Sequence, residues 1–367
     1  MTPQMYDYLP ERPAPAGSTG LTAWLKQRLF SSWGNSLLTL FSLLFLAWIL
    51  PPLVKWLIID ATWQGNDKAA CALHEGACWP FIGARLGQFF YGFYPDEERW
   101  RVSLVFFLIV PLFLLSVIFS KKHVRHWAVL ANMLLMPIIC WILLRGGSFG
   151  LESVPTNKWG GMMLSLVISS AGILFSLPLG ILLALGRSSD MPLIRWLCIG
   201  FIELWRGVPL ILILFMSSIM LPLFFPTGMT IDNLIRALIG VALFASAYMA
   251  EVVRGGLQGL SKGQYEAADS IALSYWQKMR LIILPQALRL VIPAITNTYV
   301  GLFKETTLVS IIGLYDFLGI VHSASQSPEW LGLGMEGYAF TALVYFIICY
   351  GMTRFSYRVE KHYHQGH

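Results

Sequence analysis

Apolar positions in this chain gather into long unbroken runs, at about residues 37–58, 102–120, 127–144, 162–185, 208–225, 231–253, 287–310 and 338–353. Each is near the roughly 20 residues an α-helix needs to cross a bilayer's hydrocarbon core, so the pattern predicts an all-α integral membrane protein with about eight transmembrane helices. The first run is too long for the apolar region of a signal peptide and is expected to stay as a helix. Residues 192–206 are apolar but interrupted by Arg195, Glu203 and Arg206, and merging them with the next run would give a helix too long for one crossing. They predict an interfacial helix that turns into the membrane at Gly207 and Pro209. Residues 1–35, broken by Pro10, Pro13, Pro15, Gly17 and Gly20, read as a cytoplasmic tail.

Composition agrees: of 367 residues 56% are hydrophobic and 13% charged, with a net charge of +6. The basic residues sit in short pieces between runs, which excludes a nucleic-acid stripe and fits a topology signal. Lys121, Lys122 and Arg125, then Lys262, Lys278 and Arg280, and finally Arg354, Arg358 and Lys361 fall on one side, read as cytoplasmic together with both termini. Asp96, Glu97, Glu98, Glu329 and Glu336 fall outside. Three spans precede residue 160 and five follow, so the chain divides into a tail (1–35), an extension with an external loop at about 60–100 (36–160), a transmembrane domain (161–358) and a short cytoplasmic tail (359–367). Cys140, Cys198 and Cys349 lie in apolar stretches, whereas Cys71 and Cys78 share the external loop and are candidates for a disulfide if that compartment is oxidising.

Between the sixth and seventh runs, residues 254–284 are too polar to span. Ser261 with Gln264 and Ser274 with Gln277 each fit a capping box, and Tyr265, Ala268, Ala272, Trp276, Met279 and Ile283 recur every three or four residues. Two short helices with an apolar stripe follow, and the stripe covers either the protein's own helices and the headgroup layer or a partner. The string EAADSIALSYWQKMRLIILPQA (266–287) resembles the EAA loop of ATP-binding-cassette importer permeases, with Glu266, Ala267, Ala268, Ile282, Leu284 and Pro285 at the motif's positions and Ala272 where the motif has glycine. ELWRGVPL (203–210), AYMAEVVRGGLQGLSKGQYEAA (247–268) and NTYVGLFKETTLVS (297–310) resemble the flanking stretches of polar amino-acid uptake permeases, and the long first half resembles the M-type subunit of general L-amino-acid transporters.

That resemblance implies a five-helix type I importer core at 161–358, in a bacterial inner membrane, and an ATP-driven importer of amino acids. It implies cytoplasmic ATPase subunits that carry ATP and Mg and bind the EAA loop, a second homologous permease and a periplasmic amino-acid-binding protein. The chain itself has no GxxxxGK[ST] loop, and GxGxxG at Gly332, Gly334 and Gly337 follows no strand and reads as chance. No cofactor and no metal site are expected in this chain, and no catalytic residues: the seven histidines lie in loops or tails without zinc-ligand or triad spacing. An ion-coupled secondary amino-acid transporter is the alternative, though it would need no cytoplasmic helix pair.

Two sets of polar residues stand in or beside the spans. Glu203 with Arg206 and Glu251 with Arg254 are three apart, hence helix neighbours, and read either as self-neutralising helix ends or as a cytoplasmic gate. Lys304 and Glu305 stand inside a span, where an uncompensated charge costs at least about 2.5 to 3.5 kcal/mol. With Asn297 and Thr306 they are either candidate partners for an amino acid's carboxylate and ammonium, or a pair that fixes a helix bend while Lys304 reaches the headgroups.

Overall fold

The computed structural model describes residues 20–72, 75–109, 111, 125–226 and 231–364. Among these there is no β-strand, only two isolated bridges, Thr62 with Cys78 and Gly161 with Asp316. The helices are α1 (Leu21–Arg28), α2 (Trp33–Val54), α3 (Pro80–Tyr91), α4 (Arg99–Leu104), α5 (Arg125–Arg145), α6 (Gly161–Arg187), α7 (Pro192–Gly207), α8 (Leu210–Phe215), α9 (Asn233–Gln258), α10 (Lys262–Ser270), α11 (Tyr275–Lys278), α12 (Leu284–Leu290), α13 (Ile292–Glu305), α14 (Phe317–Ser325) and α15 (Gly334–His364).

Four helical stretches among the described residues are long and apolar enough to cross a membrane: Trp33–Ile59, Gly161–Arg187, Asn233–Gln258 and Gly334–Lys361. Two bent pairs raise the number to 6: Pro192–Gly207 with Leu210–Phe224, at 102°, and Tyr275–Leu290 with Ile292–Ile312, at 63°. The 102° bend falls at Val208 and Pro209, where Pro209 cannot donate to a continuing helix. The 127–144 run is α5, while the second half of the 102–120 run, with Lys121 and Lys122, lies outside the described residues, as do residues 1–19.

The chain divides into two compact units between Trp79 and Pro80. In the first unit, α2 leads into a loop closed by a disulfide between Cys71 and Cys78, whose Cα atoms are 5.7 Å apart. The Trp79 indole donates to the Leu57 carbonyl at 2.9 Å and stacks on Trp63.

In the second unit α6 and α9 form the central pair. Gly180 permits their contact: a Cβ there would stand 2.8 Å from Met249 Cβ, so the backbones approach as small residues allow in membranes. Toward one end the core gathers Tyr94, Leu144, Trp159, Leu164, Leu214, Val241 and Val309, and toward the other Leu185, Met249, Val253, Leu257, Ile283 and Ala287. The stretch read from sequence as external loop contains α3. Its Phe81 and Phe89 are fully buried, packed with each other, with Trp330 and with Phe340.

Candidate functional site

Beyond α9, Gly259 and Leu260 lead to α10, a turn, α11 and a π-helical turn Met279–Ile283 that runs into α12. The turn between α10 and α11 places Ala272 at φ 56°, in the left-handed region that favours glycine. A Lys278–Asp269 ion pair of 2.6 Å clamps α11 to α10, and Tyr265 Oη donates to the Leu257 carbonyl at 3.0 Å, tying α10 to the end of α9. Burial pushes the Tyr265 phenol above its ordinary value.

The predicted capping boxes divide. Gln277 Oε1 accepts from the Ser274 amide at 3.0 Å and from its hydroxyl at 2.9 Å, so the second box is engaged. The first is not made: Ser261 caps nothing with its side chain, and Gln264 Oε1 accepts from Gln286 Nε2 at 3.0 Å. The apolar stripe also splits. Ala268, Met279 and Ile283 are buried, the last two against Leu185, Val253 and Leu257, so this part of the stripe covers the protein's own spans. Ile271 and Trp276, 64% and 65% exposed, with Tyr275 and Ala272, form the uncovered apolar surface around the turn. Of the other EAA positions, Glu266, Ala267 and Pro285 are exposed, while Ile282 and Leu284 are half-buried. Glu266 lies past the first turn of α10 and makes no ion pair among the described residues.

Near the same end an ion-pair network joins three helices. Glu251 on α9 meets Arg254 at 2.7 Å, Arg187 at the end of α6 at 3.0 Å and Arg206 on α7 at 3.7 Å. Arg187 also binds Glu203 at 2.9 Å, and Arg254 continues to Gln258 at 2.8 Å. The expected Glu251–Arg254 pair is present, whereas Glu203 and Arg206 each turn to a partner on another helix, with the Arg206 guanidinium 5.6 Å over the Tyr248 ring. The sequence reading missed Arg187, although a cation two residues past an apolar run was its signal. With three guanidiniums around two carboxylates, the network carries one excess positive charge.

On α13 and the 3-10 turn that follows it from Thr306, the four substrate candidates are not gathered. Asn297 and Lys304 are exposed and Glu305 is half-buried. Thr306 is buried and its hydroxyl donates to the Phe303 carbonyl at 2.8 Å. Thr306 is thus spent on its own helix, and the exposed side presents Asn297 and Lys304, with no ion pair to Lys304 among the described residues.

Past the α13 span, Asp316 is fully buried as the N-cap of α14, accepting from the Leu318 and Gly319 amides at 3.2 and 2.9 Å and from Tyr345 Oη at 3.3 Å. Burial pushes its carboxyl up from 3.8 to about 6, with the cap donors opposing. Nothing in the single sequence distinguishes Asp316 from an ordinary loop aspartate.

Residues 176–365 match the family described as binding-protein-dependent transport system inner membrane component. The chain is also 52% identical over 362 residues, 97% of each chain, to the inner membrane amino-acid ABC transporter permease protein YhdY of Escherichia coli strain K12. The chain belongs to this family of transport-system membrane components. Another member, the glutamate/glutamine/aspartate/asparagine transport system permease protein BztC of Rhodobacter capsulatus, is 36% identical over 429 residues, 98% of each chain. A solved structure described as an amino acid ABC transporter with histidines is 29% identical and covers 55% of this chain and 92% of its own, with a TM-score of 0.49. As a family member, the chain is an all-helical ABC permease and a transport component of the inner membrane, in a family whose members work with an ATPase and a binding protein. These relatives are permeases of ABC transporters, so the ion-coupled alternative finds no support among them. The matched region begins inside α6 and takes in the helix pair and the whole ion-pair network, leaving α1–α5 outside it.

Proposed function

We propose that this chain is the membrane-spanning subunit of an ATP-driven importer of amino acids, coupled to a separate ATPase through the α10–α11 turn. Relatives named as amino-acid permeases along nearly the whole chain support the substrate class. The observation that carries the coupling role is the uncovered patch of Ile271, Tyr275 and Trp276 around the left-handed Ala272. It is held at the end of the central helix pair by Lys278–Asp269 and by the buried Ala268, Met279 and Ile283. Such a knob suits a groove on a partner, where burying apolar surface contributes about 25 cal/mol per Å².

ATP and Mg belong to the ATPase in this reading, and the chain needs neither a cofactor nor a metal. A second homologous permease completes the pathway against the exposed Asn297–Lys304 side of α13, and a periplasmic amino-acid-binding protein delivers the ligand. Both termini face the cytoplasm. The network on Glu251 fastens α7 to α6 and α9, and serves as a gate at the inner end.

Glu266→Ala and Glu266→Gln test the coupling assignment through membrane insertion, ATPase copurification and ligand-stimulated ATP hydrolysis. Both variants are expected to insert normally and to lose stimulated hydrolysis. Unmodified assembly and transport in both would remove Glu266 from the coupling element.

A further inference from the structure

The last helix is longer than a membrane requires. α15 runs for 31 residues, Gly334–His364, or about 46 Å at 1.5 Å per residue, whereas roughly 20 residues cross the hydrocarbon core. Its apolar run ends at Thr353, so the turns from Arg354 onward stand at the level of the lipid headgroups. One side of α15 is held by protein along this length. Tyr345 Oη donates to the Asp316 carboxylate at 3.3 Å, Thr341 and Ser356 are buried, and the Thr296 hydroxyl of α13 donates to Ser356 Oγ at 2.6 Å. That last bond fixes the final turns against α13.

The opposite side changes its chemistry in order. Leu343, Ile347 and Tyr350, which are 55%, 58% and 58% exposed, share one face at helical spacing, and Arg354, Arg358 and Lys361 continue it, all exposed. Tyr357, 57% exposed, flanks the cations. None of the three cations makes an ion pair among the described residues. Glu360, the acid of these turns, lies roughly 120° around the helix from Arg354. The face therefore runs from apolar through aromatic to cationic along one line, which is the profile of a membrane leaflet from acyl chain to phosphate. Because the cationic part continues the exposed apolar side of a span, a lipid can cover the whole line, whereas a water-soluble anion would match only its end.

We propose that this face of α15 binds an anionic phospholipid of the inner leaflet, with acyl chains along Leu343 and Ile347 and the phosphate on Arg354, Arg358 and Lys361. The planar guanidiniums take phosphate oxygens in pairs, and Lys361 adds a point charge on a flexible stem. The site is independent of what the chain transports.

Native mass spectrometry of the chain with its copurifying subunits, stripped of lipid in detergent and titrated with phosphatidylglycerol or phosphatidylcholine, tests the site. Saturable binding of phosphatidylglycerol is expected, at least tenfold tighter than that of phosphatidylcholine. Arg354→Gln combined with Arg358→Gln should weaken it at least tenfold, in line with roughly fivefold per basic residue at a membrane surface, and the corresponding lysine pair should restore most of it. Binding to the unmodified chain should also fall as salt is raised, a readout that stands even if the glutamine pair disturbs insertion. Inorganic phosphate, which lacks acyl chains, should not displace the lipid. Equal affinity for the two lipids, or unchanged phosphatidylglycerol binding in the glutamine pair, would overturn the proposal. Displacement by inorganic phosphate would overturn it by making the cations a plain anion site. Loss of copurified ATPase from the glutamine pair with lipid binding intact would overturn it by giving the face to a protein partner.

Discussion

Ala272 occupies a left-handed backbone position that costs a residue bearing a Cβ about 1 to 2 kcal/mol relative to glycine. Ala272→Gly should therefore raise the thermal unfolding temperature or protease resistance of the loop, offset in part by the extra freedom of glycine in the unfolded chain. Ala272→Val should lower both. Glu251 has a larger role, since three arginines converge on a side chain only 15% exposed. Removing its charge leaves Arg206 and Arg254 without a carboxylate and Arg187 with Glu203 alone, and Glu251→Ala should cost roughly 2 to 4 kcal/mol, somewhat less than in a fully buried network. The loss is read as lower thermal stability in detergent. Asp316 gives a pH signature. Its folded carboxyl is raised to about 6 from 3.8, so the folded chain binds the proton more tightly than the unfolded one. Its contribution to stability is full below about pH 4 and falls by roughly 2 to 3 kcal/mol as pH rises through 6, and Asp316→Asn should flatten that part of the profile.

At the level of elements, the apolar surface left at the α10–α11 turn differs from the stripe that helical spacing implies. Periodicity assigns Ala268, Met279 and Ile283 to one face with Trp276, but the chain reverses at Ala272 and separates them. Trp276→Ala should leave insertion unchanged and weaken ATPase association by roughly tenfold or more, as expected for an aromatic worth about 1.5 to 3 kcal/mol when buried. Copurified ATPase at increasing salt and detergent checks this. The long helices at Trp33–Ile59, Gly161–Arg187, Asn233–Gln258 and Gly334–Lys361 were legible because a bilayer demands length and apolarity, which a single sequence displays. The helix α3 was not, because Phe81, Leu86 and Phe89 are separated by Arg85 and Gln88 in a stretch that reads as polar loop. Pairing of Glu203 with Arg206 also misled: neighbours on a helix were bonded to other helices, and spacing along one chain segment cannot reveal a cross-helix partner such as Arg187.

For the whole molecule, the central claim is that transport through this chain draws on ATP hydrolysed by another subunit. The likeness to an amino-acid permease along nearly the full length and the exposed apolar turn between α10 and α11 point the same way. An ion-gradient mechanism would leave that turn with nothing to bind. The decisive measurement is uptake of labelled amino acid into proteoliposomes that contain the assembled transporter, with the binding protein outside and ATP inside. The account predicts uptake that requires internal ATP, survives an ionophore and is lost in a Trp276→Ala, Glu266→Ala double variant. Uptake that persists without ATP and collapses with the ionophore would contradict it.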